Sequence, residues 1–191
     1  MSHSVENNHP AHGSRPPVTS EQFRRVAGHY PTGVVLLTAP RPAPHQPPPA
    51  MVMGTFTSVS LHPTLVGFLA AKSSTTWPRI RAAGRFCVNV LAADQEETCR
   101  SFASADPGRW RVPHRQTATG SPVLLDAIAW FDCEMAGEVG AGDHWFVTAA
   151  VRDLGVQRSD PPLVFFQGRY GDCRPHANAS VPHGPTASES I

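Results

Sequence analysis

Four hydroxyl residues in a row, Ser73-Ser74-Thr75-Thr76, follow Lys72 and lead into Trp77-Pro78. A phosphate needs several hydrogen-bond donors converging on one point, with no bulky side chain in the way. Hydroxyls beside the unpaired N–H groups of a first helical turn supply such donors, and Lys72 adds a positive charge. Pro78 fits the start of a helix, where its missing N–H costs nothing, and Gly84 fits the end. The same residue types also cap helices that bind no ligand. On local chemistry both readings, helix cap and phosphate site, are open.

Other chemistries find less support. Cysteines stand at 87, 99, 133 and 173 without a Cys-x-x-Cys pair, so neither zinc spacing nor a dense disulfide framework is present. Of ten histidines, five lie near the ends (His3, His9, His12, His176 and His183), and no His-x-His or His-x-x-x-His spacing occurs. No metal centre is expected. A net charge of +1 leaves no electrostatic footprint for nucleic acid or an anionic membrane. No apolar run has the length of a membrane helix, and no secretory signal is recognisable. Widely spaced thiols suit a reducing compartment, so the cytoplasm is the expected location.

The elements that must position the hydroxyl cluster come next. From Met51 to Leu91 three runs rich in β-branched and aromatic residues are separated by a turn at His62-Pro63 and by the cluster itself. The order predicted is strand, turn, strand, anion-binding turn, helix, strand. Upstream, residues 1–17 are polar and aperiodic, which predicts a disordered tail. Thr19 to Gln22 reads as a capping box opening a helix through about Tyr30, with Phe23 and Val26 as its buried face and Pro31-Thr32-Gly33 as its stop. Val34 to Thr38 is a short buried strand. Pro40 to Pro49 holds six prolines in ten residues, a polyproline-like hairpin loop outside the sheet.

Downstream, Arg85 to Leu91 reads as a strand. A second box, Asp94 to Glu97, opens a helix to about Ser104. Asp106 to Gly120 reads as an irregular connection. Ala129 to Glu138 and His144 to Leu154 form a hairpin around Gly140-Ala141-Gly142-Asp143, and Leu163 to Gln167 makes a last strand. Residues 174–191 read as another disordered tail, which leaves 18–173 as one domain. Many short strands with few short helices argue for a mainly β fold, an antiparallel barrel. A doubly wound sheet is not indicated, and neither G-x-G-x-x-G nor a Walker motif is present.

Laid out in this order, the chain resembles the flavin reductase-like family. The matching segments run from Phe23-Arg24-Arg25-Val26 through Tyr30-Pro31-Thr32-Gly33-Val34, then Phe56-Thr57-Ser58-Val59-Ser60-Leu61 with Pro63. Lys72-Ser73-Ser74-Thr75-Thr76-Trp77, Phe86-Cys87-Val88-Asn89-Val90-Leu91, Gly142-Asp143-His144 and Phe165-Phe166-Gln167-Gly168-Arg169-Tyr170-Gly171 follow. No single segment is specific; six in register over roughly residues 20 to 172 are.

The resemblance implies a split antiparallel Greek-key β-barrel with a few flanking helices, and a homodimer with flavin near the subunit interface. It implies an NAD(P)H:flavin oxidoreductase that supplies reduced FMN or FAD to a partner monooxygenase, with NADH or NADPH as hydride donor. Gly54, Thr55, Thr57 and Ser58 would line the isoalloxazine and ribityl chain. Lys72, Ser73, Ser74 and Thr75 would surround the phosphate, and Asn89 would donate to the flavin. His144 would meet the nicotinamide, and Arg169 and Tyr170 would shape the nucleotide entrance. Where family members often carry Asn-Ser before the Phe-Thr-Ser run, this chain has Gly54-Thr55, which leaves backbone N–H groups to reach the ring carbonyls. Two alternatives stand beside this reading: a flavin-dependent oxidoreductase acting directly on a small organic substrate, and a non-catalytic flavin-binding module.

Overall fold

The run Val34-Val35-Leu36-Leu37 lacks polar alternation because both of its faces are buried. The computed structural model describes residues 16–174. Its elements are α1 (Ser20–Ala27), β1 (Thr32–Gly33), β2 (Val35–Thr38), β3 (Ala50–Met53), β4 (Thr57–Leu61), β5 (Thr64–Ala71), α2 (Trp77–Ala83), β6 (Arg85–Val90), α3 (Glu96–Ala103), β7 (His114–Gln116), β8 (Pro122–Leu124), β9 (Ala129–Ala141), β10 (His144–Val156), β11 (Leu163–Phe166) and β12 (Arg169–Asp172). A seven-stranded antiparallel sheet runs in the order β3-β2-β6-β9-β10-β5-β4, beside the smaller sheets β1-β11-β12 and β7-β8.

The period-two geometry of a strand splits the apolar run between two cores. Val35 and Leu37 join Phe68, Trp77, Ile80, Phe86, Val88 and Val147 on one side. Val34 and Leu36 join Leu91, Phe102, Leu124 and Leu163 on the other, under α3. Because the first cluster draws on β2, β5, β6, β9 and β10 at once, the large sheet wraps around it. Phe68 sits edge-on between Trp77 and Phe86, with ring centroids 5.5 Å from each. Trp77 is therefore core, anchoring α2 inside the barrel wall.

Closure comes from the chain itself. β3 and β4 are the two edges of the seven-stranded sheet, yet only Gly54-Thr55-Phe56 separates them. Three residues span at most about 11 Å, so the edges must come together, and the sheet curls into a barrel that stays split at this link. The β9–β10 hairpin forms the opposite wall, with bulges between Thr148 and Ala149 and between Val151 and Asp153 that bend it.

Two buried polar side chains hold the outer layer. Asn89 is fully buried on β6, where its amide donates to Leu36 O (3.2 Å), Thr38 Oγ1 (3.3 Å) and Pro122 O (3.4 Å), and its oxygen accepts from Leu124 N (2.8 Å). Asn89 thus pins β8 to β2 and β6. This corrects the expectation that it donates to flavin: its hydrogen-bonding capacity is spent inside the protein. Asp132, also fully buried, accepts from the hydroxyls of Thr117 (2.9 Å) and Thr119 (2.6 Å) and from Thr119 N (3.3 Å). It orders the second half of the Asp106–Gly120 connection, in which β7 forms.

Several sequence expectations change. Thr19 and Gln22 make the capping box, but α1 ends at Ala27, and Phe23 and Val26 are 66% and 69% exposed. The helix touches the barrel only beyond its end, where Gln167 N donates to Gly28 O and His29 meets Phe166 edge-on. The second box is displaced: Gln95 Oε1 accepts from Ala92 N at the head of a short 3₁₀ turn, while Asp94 pairs with Arg158. Thr32–Gly33, read as a helix stop, pairs with β11, and β8 and β12 were not foreseen. The loop after Thr38 is an enlarged β2–β3 hairpin connection, with Pro48 and Pro49 buried. The tails expected at 1–17 and 174–191 lie outside the described residues, save residues 16, 17 and 174.

Replacing the Asn89 side chain strands the Leu124 N–H and carbonyl groups of two elements. Asn89→Ala is expected to lower unfolding stability by about 2–4 kcal/mol, read by denaturant titration. Unchanged stability would disprove the pinning role.

Candidate functional site

A groove lies at the split in the barrel. It holds about 230 Å³ and is lined by Tyr30, Thr32 and Gly33 on one side and by Gly54, Thr55, Phe56 and Thr57 on the other. A second hollow of about 220 Å³ shares Thr32 and Gly54 and continues to Phe165 and Tyr170. Gly54 has a steric reason to be glycine here: a Cβ would lie 2.6 Å from Thr32 Oγ1 and 3.3 Å from Thr32 Cβ. The Thr32 side chain therefore packs directly against the Gly54 backbone at the groove.

One strand ties the expected site residues together. Thr55 Oγ1 accepts from Leu69 N (3.0 Å) and donates to Leu69 O (3.2 Å), so a side chain fills the gap in the ladder beside β5. That hydroxyl is engaged, which leaves Thr55 its backbone as the group facing the groove. Lys72 follows β5 directly, three residues or about 10 Å further along at strand rise. His144 opens β10 opposite Ala71, the last residue of β5. Gly54-Thr55, the hydroxyl turn and His144 thus gather around one end of β5.

Of the two readings left open by its sequence, the hydroxyl turn shows the helix cap. Ser74 Oγ accepts from Thr76 N (3.3 Å) and Trp77 N (3.1 Å), capping α2, while Ser73 and Thr75 remain exposed. Gly84 ends the helix in the left-handed region at φ +65°. Lys72 points toward the β9–β10 turn, where Nζ donates to Gly142 O (2.7 Å) and lies 4.9 Å from the centre of the Trp145 ring.

Sequence reasoning missed Asp143. Its Oδ1 lies 2.7 Å from His144 Nδ1. The hydrogen bond from His144, the charge of that ring and then the nearby charge of Lys72 hold the Asp143 carboxyl below the usual carboxylate range. With Nδ1–H committed to the carboxylate, Nε2 is the ring nitrogen left without a partner in this contact. The sequence signal was a carboxylate adjacent to the candidate histidine in a tight turn.

Thr57 lines the groove, whereas Ser58, next on β4, is exposed but not part of the lining. Arg169 is exposed at the start of β12. Tyr170 receives a hydrogen bond from Cys99 Sγ (3.3 Å) and lies under the Arg100 guanidinium at 4.8 Å. Burial, then the Cys99 contact, pushes its phenol well above the usual range, so it stays protonated. Burial likewise pushes the thiols of Cys87, Cys99 and Cys133 up, which disfavours the thiolates a nucleophile needs. Among the described residues no group of three His, Cys, Asp or Glu is placed to hold a metal, and no helix is long and apolar enough to cross a membrane.

The chain is similar over most of its length to proteins of one kind. Residues 27–174 match the flavin reductase-like domain. A flavin reductase of Pseudomonas putida is 44% identical over 158 residues, spanning 82% of this chain and 92% of that protein. The reductase subunit HsaB of a flavin-dependent monooxygenase from Rhodococcus jostii is 34% identical, spanning 86% and 84%. Among solved structures, the NADH:FAD oxidoreductase of Streptomyces globisporus, in complex with NAD and FAD fragments, superposes with a TM-score of 0.75 at 31% identity, covering 83% of this chain and 94% of that one. The match spans the groove, the hydroxyl turn and the β9–β10 hairpin together, and the chain belongs to the flavin reductase-like family.

Proposed function

We propose that the protein is an NAD(P)H-dependent flavin reductase that supplies reduced FMN or FAD to a separate monooxygenase. The observation that carries this reading is the open groove at the barrel split, lined by Gly54 and Thr55, with the hydroxyl turn and His144 at the end of the strand beside it. The donor set fits a flavin: backbone N–H groups for ring carbonyls, and hydroxyls and a lysine for a phosphate. A separation of about 10 Å between Thr55 and Lys72 at strand rise is of the order a five-carbon ribityl chain bridges.

When bound, the flavin supplies the N5 acceptor for a hydride from nicotinamide C4. The protein's part is to bind, orient and stabilise. Backbone N–H groups from Gly54 to Phe56 face the ring's carbonyl end, where negative charge collects. Ser73, Ser74 and Thr75 donate to the phosphate, and Lys72, on a flexible four-carbon stem, balances its charge. Thr57 and Ser58 flank the ribityl side. His144, oriented by Asp143, holds the nicotinamide and is not an obligatory base. Arg169 and the protonated Tyr170 border the entrance.

The working unit in this reading is a homodimer. Phe23, Val26 and Tyr30 present an apolar face that one copy leaves exposed, and Tyr30 also lines the groove, so a second copy would cover the helix and narrow the site. Four free cysteines fit a reducing cytoplasm.

Purified protein mixed with NADH or NADPH and free FMN or FAD is expected to oxidise the nicotinamide continuously, followed by its absorbance. Bound flavin without turnover, or turnover only on adding an organic substrate, would reject the reductase assignment. The Ser73→Ala/Thr75→Val double variant, which spares the Ser74 cap, should weaken flavin binding about 10- to 100-fold in a fluorescence titration; an unchanged Kd would displace the phosphate from this turn. His144→Ala should raise KM for the nicotinamide donor about 3- to 10-fold with flavin affinity intact, and an equal KM would remove that contact.

A further inference from the structure

A second cleft opens on the far side of the hydroxyl turn. It holds about 370 Å³, within the range of small-molecule sites. Thr75 and Thr76 form one lip, Arg79 and Arg109 contribute guanidinium groups, and Met51 and Phe102 supply apolar wall. Neither arginine is salt-bridged among the described residues. Arg79 makes one long contact to Pro47 O (3.4 Å), and Arg109 is braced by Ala105 O (2.8 Å) and Asp106 O (2.7 Å). The Asp106 carboxylate is itself taken by Gly108 N. Two like charges lining one cleft repel each other unless an anion sits between them. Each guanidinium has five donors, and the bonds named here leave most of them unused.

We infer that this cleft is an adenylate subsite, and that FAD rather than FMN is the flavin the protein selects. The inference rests on the flavin reading above. If the turn holds the phosphate at the end of the ribityl chain, FMN stops there and leaves both arginines facing nothing. FAD continues from that phosphate into a second phosphate, a ribose and a flat, largely apolar base. Thr75 belongs to both sites, so the pyrophosphate passes from the turn to the arginines and the adenine reaches the wall formed by Met51 and Phe102. The adenylate of the nicotinamide donor has the same chemistry. His144, the expected nicotinamide contact, stands opposite Ala71 on the β9–β10 side and does not line the cleft, and this favours the flavin as occupant.

The test is equilibrium binding of oxidised FAD, FMN and AMP to the full chain, followed by flavin fluorescence and calorimetry. FAD is expected to bind at least about tenfold more tightly than FMN, and AMP to compete with FAD but not with FMN. Arg79→Gln should raise the Kd for FAD about tenfold and narrow the gap to FMN. Equal affinities for FAD and FMN, both indifferent to Arg79→Gln while NADH oxidation proceeds, overturn the subsite and leave the reductase reading standing. A rise in KM for NADH in place of the FAD effect assigns the cleft to the nicotinamide dinucleotide and also overturns it. Failure of both flavins to bind and of NADH to be oxidised removes the reductase reading, and the inference with it.

Discussion

Three residues between two edge strands of one sheet set the shape of this protein. A seven-stranded antiparallel sheet could lie open and twisted, but the Gly54–Phe56 link forbids it, since β3 and β4 stand at opposite edges. The sheet closes around Phe68, Trp77 and Phe86, and the closing point remains a seam without strand pairing between β3 and β4. Backbone groups that pairing would have consumed are left facing a groove. Barrel closure and the candidate site are thus one event, and the absence of a side chain at Gly54 belongs to both.

The same end of β5 concentrates charge. Lys72, Asp143 and His144 come together only because β5 and β10 pair with Ala71 opposite His144. The carboxylate fixes which imidazole nitrogen carries the proton, and the lysine helps keep the carboxylate ionised. An imidazole paired to a carboxylate, a cation and a set of hydroxyls then occupy one rim of the barrel.

Much of this was readable in the residues, unevenly and for identifiable reasons. The hairpins, α2 with its Gly84 stop and the strands β6 and β9 followed from β-branched runs and turn residues, though not the pairing of β6 with β9. Short elements did not: Thr32–Gly33 and Pro122–Leu124 carry no periodicity in two or three residues, and they exist because β11 and β7 lie beside them. The resemblance implied that Asn89 donates to flavin, but sequence could not say whether the partners of a strand amide were ligand or protein. Phe23 and Val26 were rightly grouped on one face of α1; their spacing says that the face seeks cover and not that the same chain provides it. The hydroxyl turn was legible as an anion site or a cap, and the structure shows the cap, with Ser74 bonded to the first turn and Ser73 and Thr75 exposed.

The proline-rich connection between β2 and β3 bears on how firmly the seam is held. A ten-residue loop of ordinary composition would carry a large entropy of closure and leave the start of β3 to fray. Six prolines restrict the unfolded chain as well, so less freedom is lost on folding. Arg41 bonded to Pro44 O, Gln46 N to Ala43 O and Ala39 N to Pro49 O then draw the loop together. With Pro48 and Pro49 buried against the barrel, β3 starts from a rigid abutment. Its other end, at Gly54, is therefore held in register beside the groove.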